Sequence, residues 1–278
     1  MHDIGPGESV ELLKELHILT RDGRMNQDSR RKIKQVNHLC RFIEPLLEEL
    51  GGGEDPITLV DHGAGKSYLG FILYDRYFKN HPGRGRIFSI EARDELVMSS
   101  RRLADRLGFS AMRFFRLTVA ESVTSPALPG TVDMVTALHA CDTATDDAIR
   151  FALHKQARCI VLAPCCQAEV AAALRLGKGK HRGESALSEL WRHGMHTREF
   201  GALATNALRC LQLEAHGYQV SVTELVGWEH SLKNELIIAR CKGRPLRRPA
   251  QRLEELLQAL GLEELRSRFY TPGTLPEP

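Results

Sequence analysis

Ile57-Thr58-Leu59-Val60-Asp61-His62-Gly63-Ala64-Gly65-Lys66-Ser67 is the stretch from which the rest of this chain can be read. A short apolar, β-branched run ends in an acid. A turn with two glycines follows, and then an apolar segment, Ser67–Phe78, with helical periodicity. A strand that enters a glycine turn at a helix N-terminus brings backbone close to a ligand, because no Cβ stands in the way. Three ligands compete for such a turn. A phosphate-cradling loop matches at Gly65-Lys66-Ser67, but its first glycine position is Val60. A dinucleotide site prefers a third glycine at position 68, which is Tyr68, and requires no acid at 61. S-adenosylmethionine fits best. Asp61 can face the ammonium of its amino acid, and Gly63, Ala64 and Gly65 admit its methionine end.

Outward from this turn, strands and helices alternate. Arg86–Ile90 reads as a second strand ending at Glu91-Ala92, 26 residues beyond Gly65, where a carboxylate can accept hydrogen bonds from ribose hydroxyls. Asp94–Leu107 reads as a helix, Met112–Val119 as a strand, and Val132–Leu138 as a strand. Asp146–Lys155 is a helix, and Cys159–Ala163 a fifth strand. Helices are expected over 167–176 and 185–216, with a basic glycine-rich loop, Gly177–Gly183, between them. Gln219–Val226 and Glu235–Arg240 are strands joined by about eight residues, too few for a parallel crossover, so they should be antiparallel. The expected fold is α/β: a mostly parallel, seven-stranded Rossmann-like sheet of the class I methyltransferase type, closed by an antiparallel hairpin. Helical extensions flank it, which divides the chain into 1–53, a core of 54–241, and a tail of 242–278. In the first of these, Val10–Leu19 and 30–50 are helical, Asp28 and Ser29 are the candidate N-caps, and Pro45 should kink or restart the second helix. In the tail, a helix is expected over about 249–268.

Two further segments lie where open α/β sheets put their ligands, at the carboxyl ends of the fourth and fifth strands. They read His139-Ala140-Cys141-Asp142 and Pro164-Cys165-Cys166-Gln167. Asp142 or His139 can serve as general base while a methyl group moves. Cys165 or Cys166 can attack carbon 6 of a pyrimidine and make carbon 5 nucleophilic. The thiols and His139 could instead bind zinc, although no Cys-x-x-Cys spacing occurs, and no metal is expected. Cys40, Cys159, Cys210 and Cys241 read as small core residues.

Together, Asp61-His62-Gly63-Ala64-Gly65-Lys66, then Leu138-His139-Ala140-Cys141-Asp142-Thr143-Ala144-Thr145-Asp146, then Pro164-Cys165-Cys166-Gln167 resemble a methyltransferase domain family. It includes the eukaryotic tRNA acceptor-stem 2′-O-methyltransferase and the glutathione-S-transferase C-terminal-domain-containing protein. The similarity extends to Lys34-Gln35-Val36-Asn37-His38 and to Ser231-x-Lys233-Asn234, and covers roughly residues 30–241. It implies S-adenosylmethionine as cofactor, with Asp61, Gly63, Gly65 and Glu91 as contacts. His139, Cys141 and Asp142 would border the methyl group, and Leu117–Val119 would lie near the adenine. Two positions depart from the common pattern. Ser67 and Asp142 stand where glycine is frequent. The tRNA enzyme's zinc-finger modules have no counterpart.

Composition bounds the partners. The 278 residues are 42% hydrophobic and 26% charged, ordinary for a globular chain, with a net charge of only +3. A nucleic-acid partner must therefore be argued from local basic segments: 21–34, 175–182 and 242–252. RNA is the expected substrate; a protein or small-molecule methyltransferase, or a cofactor-binding module without catalysis, are the alternatives. Seven cysteines, no apolar run of membrane-spanning length and no leader-like opening point to a cytoplasmic protein without disulfides or membrane partner.

Overall fold

The computed structural model describes residues 9–270, apart from positions 21, 25, 54, 139, 141, 165–166, 178–185 and 225–234. Seven strands form one sheet: β1 (Ile57–His62), β2 (Gly85–Glu91), β3 (Met112–Arg116), β4 (Met134–Ala137), β5 (Cys159–Leu162), β6 (Tyr218–Glu224) and β7 (Glu235–Cys241). Their spatial order is β3-β2-β1-β4-β5-β7-β6. β1 to β5 pair in parallel, while β7 is antiparallel to both β5 and β6. The expected sheet and hairpin are both present. β4 and β5 are only four residues long and wholly buried, as parallel strands covered on both faces should be.

One face of the sheet is covered by α1 (Val10–Glu15), α2 (Gln27–Leu50), α3 (Tyr68–Arg76) and α4 (Asp94–Leu107). Their apolar stripes meet Leu59, Ile87, Val161 and Ile238 in one core. α4 shows the local logic. Asp94 and Glu95 sit in its first turn, Val97, Ser100 and Ala104 recur on the buried face, and Gly108 ends it at φ 70°. The other face carries α5 (Val119–Thr124), α6 (Thr143–His154) and α8 (Gly194–Ala215), over a second core around Val60, Val135, Phe151 and Leu213. A third cluster joins α8 to α7 (Glu169–Gly177), α9 (Arg247–Leu260) and α10 (Arg266–Phe269), with Leu208, Leu253 and Phe269 fully buried.

Several local expectations differ from the structure. β3 stops at Arg116, and Val119 opens α5, because Thr118 and Glu121 form a reciprocal capping box. Pro45 lies inside the continuous helix α2, where Ile43, Leu46 and Leu47 are completely buried and offset the cost of a mid-helix proline. Asp28 and Ser29 are therefore within the helix rather than caps. The first helix ends at Glu15. The helix expected over 185–216 is split into a 3-10 segment, Ala186–Trp191, and α8. The tail helix breaks at Gly261, whose φ of 64° closes α9. Cys40 and Cys159 are buried as expected, but Cys210 is half-buried and Cys241 is exposed.

Candidate active site

The direction of winding reverses between β1 and β4. β2 and β3 lie on one side of β1, and β4 and β5 on the other. Open α/β sheets bind ligands in the crevice at that point, outside the carboxyl ends of the strands. The glycine turn after β1 and the turn after β4 form its two walls, and they touch: a Cβ on Gly63 would lie 3.5 Å from the Cβ of Ala140.

The first wall is a run of left-handed backbone. Gly63 has φ 63°, Gly65 φ 58° and Ser67 φ 55°. The Ala64 N–H donates to the Ile90 carbonyl at 3.0 Å, which fastens the turn to the end of β2. The Gly65 N–H donates to Glu91 Oε2 at 2.9 Å. No atom lies within 4 Å of the place where a Gly65 Cβ would be. The turn therefore faces open space beside an acceptor carboxylate, which suits a ligand carrying hydroxyls and an amino acid end. Glu91 Oε1 also accepts from the backbone N–H of Arg93 at 3.0 Å and from its Nε at 2.9 Å. Burial pushes the Glu91 carboxyl up, but these donors outweigh it and hold the group below the usual carboxylate range. Ala92, beside it, is exposed.

Beneath the turn, Asp61 is buried and accepts a 2.7 Å hydrogen bond from Thr136 Oγ1, its register partner on β4. Burial pushes its carboxyl up to about 7, against the pull of Thr136. The adjacent His62 is also buried. Its Nε2 lies 3.1 Å from Ser122 Oγ, and its ring packs on Phe151. Burial lowers its pKa to about 4.

The second wall holds Asp142, whose φ of 51° and ψ of −124° are sparsely populated by any residue but glycine. Its Oδ1 accepts from the backbone N–H groups of Ala168, at 2.8 Å, and Glu169, at 3.2 Å. The carboxylate thus caps the N-terminus of α7 across the gap from β4 to β5. Behind it lies a buried polar network that sequence reading missed. Arg209 of α8 is fully buried and grips Asp146 with two bonds, of 2.7 and 2.8 Å. It also donates to the Asp142 carbonyl at 2.9 Å and to Asn206 Oδ1 at 3.2 Å. Asn206 donates to Glu235, and Gln167 Nε2 lies 3.4 Å from Asn206 Oδ1. Gln167 Oε1 is buried with no partner among the described residues. A signal was available: Asn206 and Arg209 recur three apart on the face of α8 that continues to the buried Leu213.

His139, Cys141, Cys165 and Cys166 lie outside the described residues, as does Trp228. Among the described residues no cluster of His, Cys, Asp and Glu could hold a metal ion, and no helix is long and apolar enough to cross a membrane. Of the basic segments, most of 175–182 lies outside the described residues, and the other two lie in different parts of the fold. Lys242, Arg244, Arg247, Arg248 and Arg252 are all exposed, but they follow the end of β7 that pairs beside Arg158, opposite the crevice. α2 meets the carboxyl edge of the sheet at β6. Its Glu44 pairs with Arg76, the last residue of α3, and its His38 lies 3.2 Å from the carbonyl of Glu224, the last residue of β6. The first turns of this 24-residue helix precede the contact with Glu224. Those turns carry Arg30, Arg31, Lys32 and Lys34 in sequence, and the Arg30 side chain is exposed.

A family model for a methyltransferase domain matches residues 31–173. The chain belongs to this family. The matched stretch covers most of α2, both walls of the crevice and the first half of α7. With the seven-stranded sheet, it makes the protein a class I methyltransferase, an enzyme whose methyl donor is S-adenosylmethionine. The methyltransferase is also similar to solved structures. One is an rRNA methylase from Streptococcus thermophilus, at 9% identity and a TM-score of 0.42, which covers 72% of this chain and 94% of that one. Another is magnesium protoporphyrin IX methyltransferase from Synechocystis with bound S-adenosylmethionine, at 10% identity and a TM-score of 0.46, covering 86% and 100%. A third is the fibrillarin pre-rRNA processing protein of Methanococcus jannaschii, at 10% identity and a TM-score of 0.41, covering 68% of each chain. No curated protein matches the chain in sequence.

Proposed function

We propose that this methyltransferase modifies RNA, a tRNA or an rRNA, at an oxygen or a nitrogen. The observation that carries the reading is the course of α2: it meets the carboxyl edge of β6 at His38, and the basic run Arg30, Arg31, Lys32 and Lys34 precedes that point in the same helix. Lysines and arginines there would hold a phosphate backbone with sequence-independent affinity and position one nucleotide over the crevice. The resemblance to a family that includes an acceptor-stem tRNA enzyme points the same way. When bound, S-adenosylmethionine supplies a sulfonium methyl group for direct transfer to a nucleophile.

In this reading Asp61 faces the cofactor's ammonium, Glu91 takes the ribose hydroxyls in place of Arg93, and Gly63, Ala64 and Gly65 leave room for the methionine end. Ala92, His139 and Cys141 would complete the cofactor contacts. Asp142, with one carboxylate oxygen engaged by two backbone donors and the other without a bond among the described residues, or His139 would be the base that removes the acceptor's proton. Cys165 and Cys166 would line the acceptor side.

The test is incorporation of labelled methyl groups into purified total tRNA and rRNA, beside protein and small-molecule extracts. The expected result is RNA labelling that falls at least tenfold in Arg30→Glu/Lys34→Glu, with affinity for S-adenosylhomocysteine (SAH) retained. Labelling of protein or small molecules alone would overturn the RNA substrate. SAH binding with no labelling anywhere would mark a module without catalysis.

A further inference from the structure

Arg209 presents a physical question that the methyltransferase reading leaves open. Its guanidinium is removed from water completely, and a buried ion pair such as Arg209–Asp146 is often no more stable than two packed apolar side chains. Stability alone therefore does not account for an arginine at this point. Its remaining donors do something an apolar residue cannot: they reach the Asp142 carbonyl and Asn206 Oδ1.

Asp142 needs such a contact. A non-glycine residue at φ 51° and ψ −124° persists only where its surroundings fix it from several sides. Two clamps do so. The side chain is held by the N–H groups of Ala168 and Glu169, at the start of α7. The carbonyl is held by Arg209 and by the Thr145 N–H at 3.2 Å. Thr145 Oγ1 donates at 2.6 Å to the carbonyl of Ala140, two residues before Asp142 in the same turn. That turn stands against Gly63, so whatever fixes Asp142 fixes the width of the crevice from its far side.

We infer that Arg209 is a positioning residue for the cofactor crevice: through the Asp142 carbonyl it holds the turn after β4 in a strained, binding-competent shape against the glycine turn after β1. It touches neither cofactor nor substrate. If the competent shape is only fractionally populated without the clamp, affinity drops by that fraction. The inference rests on placing the cofactor between β1 and β4.

The experiment compares wild type, Arg209→Lys and the apolar pair Arg209→Met/Asp146→Leu. SAH affinity is measured by calorimetry, and amide hydrogen exchange at Thr145, Ala168 and Glu169 is followed without ligand. The apolar pair removes both charges together, so its melting temperature should stay near that of wild type. The expected result is SAH binding weakened about tenfold or more in both variants, with faster exchange at those three amides. Wild-type affinity and wild-type protection in Arg209→Lys and in the apolar pair would overturn the inference. If the pair does not fold, Arg209→Lys, which keeps the charge against Asp146, decides alone. A wild type that binds no SAH would count against the cofactor's placement, while the exchange rates would still decide whether Arg209 clamps Asp142.

Discussion

Replacing Asp61 by asparagine should uncover a compensation between two neighbouring buried groups. Asp61 holds its proton up to about pH 7 in the folded chain, against 3.8 when unfolded. Its contribution favours the folded state fully below pH 3.8 and is withdrawn as the pH climbs to about 7. At 1.36 kcal/mol per pH unit this is about 4 kcal/mol. His62 has the opposite slope. Its pKa falls from 6.5 to about 4, so its contribution is complete above pH 6.5 and is lost as the pH drops towards 4, about 3 kcal/mol in all. Between pH 4 and 6.5 the two nearly cancel, and this pair should leave the wild type almost indifferent to pH. The asparagine side chain cannot ionise but can still accept from Thr136, so the hydrogen bond survives and one slope disappears.

Urea denaturation from pH 4 to 8 measures the balance. Asp61→Asn should match wild type at pH 4 and exceed it by an amount that grows to about 4 kcal/mol by pH 8. The variant alone should lose about 3 kcal/mol on acidification from 6.5 to 4. A stability difference that is the same at every pH would overturn the argument. SAH adds a second reading. Its ammonium beside Asp61 would favour the ionised form, so wild-type affinity should rise from pH 5 to 7. It should fall again in alkaline buffer, once the ligand's own ammonium loses its proton. In Asp61→Asn the rise should be absent.

Three other outcomes follow from the geometry. Gly201→Ala would put a Cβ 2.7 Å from Ala171 Cβ and 2.8 Å from its Cα, where α7 and α8 cross, and should cost about 1–3 kcal/mol in chemical denaturation. Gly65→Ala meets no protein atom but requires φ 58°. It should cost about 1 kcal/mol of stability yet weaken SAH binding far more, because the methyl group enters the ligand's space. Ser67→Gly removes a side chain that makes no cap from a residue at φ 55°, and should raise stability by up to about 1 kcal/mol, about 2–4 °C in melting temperature.

The sheet was legible because its signals are local. Alternating short apolar runs and helices give the parallel strands, and the short Gly227–Asn234 connection gives the antiparallel pair. The positions of Asp61 and Glu91 at strand ends, and of Gly63 and Gly65 in the turn after β1, were legible for the same reason. Boundaries failed where a nearby side chain decided them: Thr118 and Glu121 convert the end of an expected strand into α5. The polar network failed for a different reason. Asp142, Asp146 and Arg209 are as many as 67 residues apart, and no spacing rule joins a turn after β4 to a helix that follows β5.

Ser67 and Asp142 join these two kinds of evidence. Both stand where the family resemblance leads one to expect glycine, and both have positive φ, a conformation that favours glycine. They are accommodated differently. Ser67 is at φ 55°, ψ 33°, an ordinary left-handed conformation with a small cost, and its side chain makes no cap. Asp142 is at ψ −124°, where the cost is of order 1–3 kcal/mol, and there the side chain makes bonds that glycine could not: the cap on α7. An aspartate cap is typically worth about 1 kcal/mol, less than or comparable to the strain. The cap alone therefore does not account for the conformation, and the bond from Arg209 to the carbonyl is the additional constraint. On this account Asp142→Gly should lose the α7 cap while relieving the strain and leave global stability nearly unchanged. It should also make the turn less dependent on Arg209, so that Arg209→Lys weakens SAH binding less in the glycine background than in the wild type. Equal weakening in both backgrounds would separate the clamp from the strain and leave Asp142 as a helix cap only.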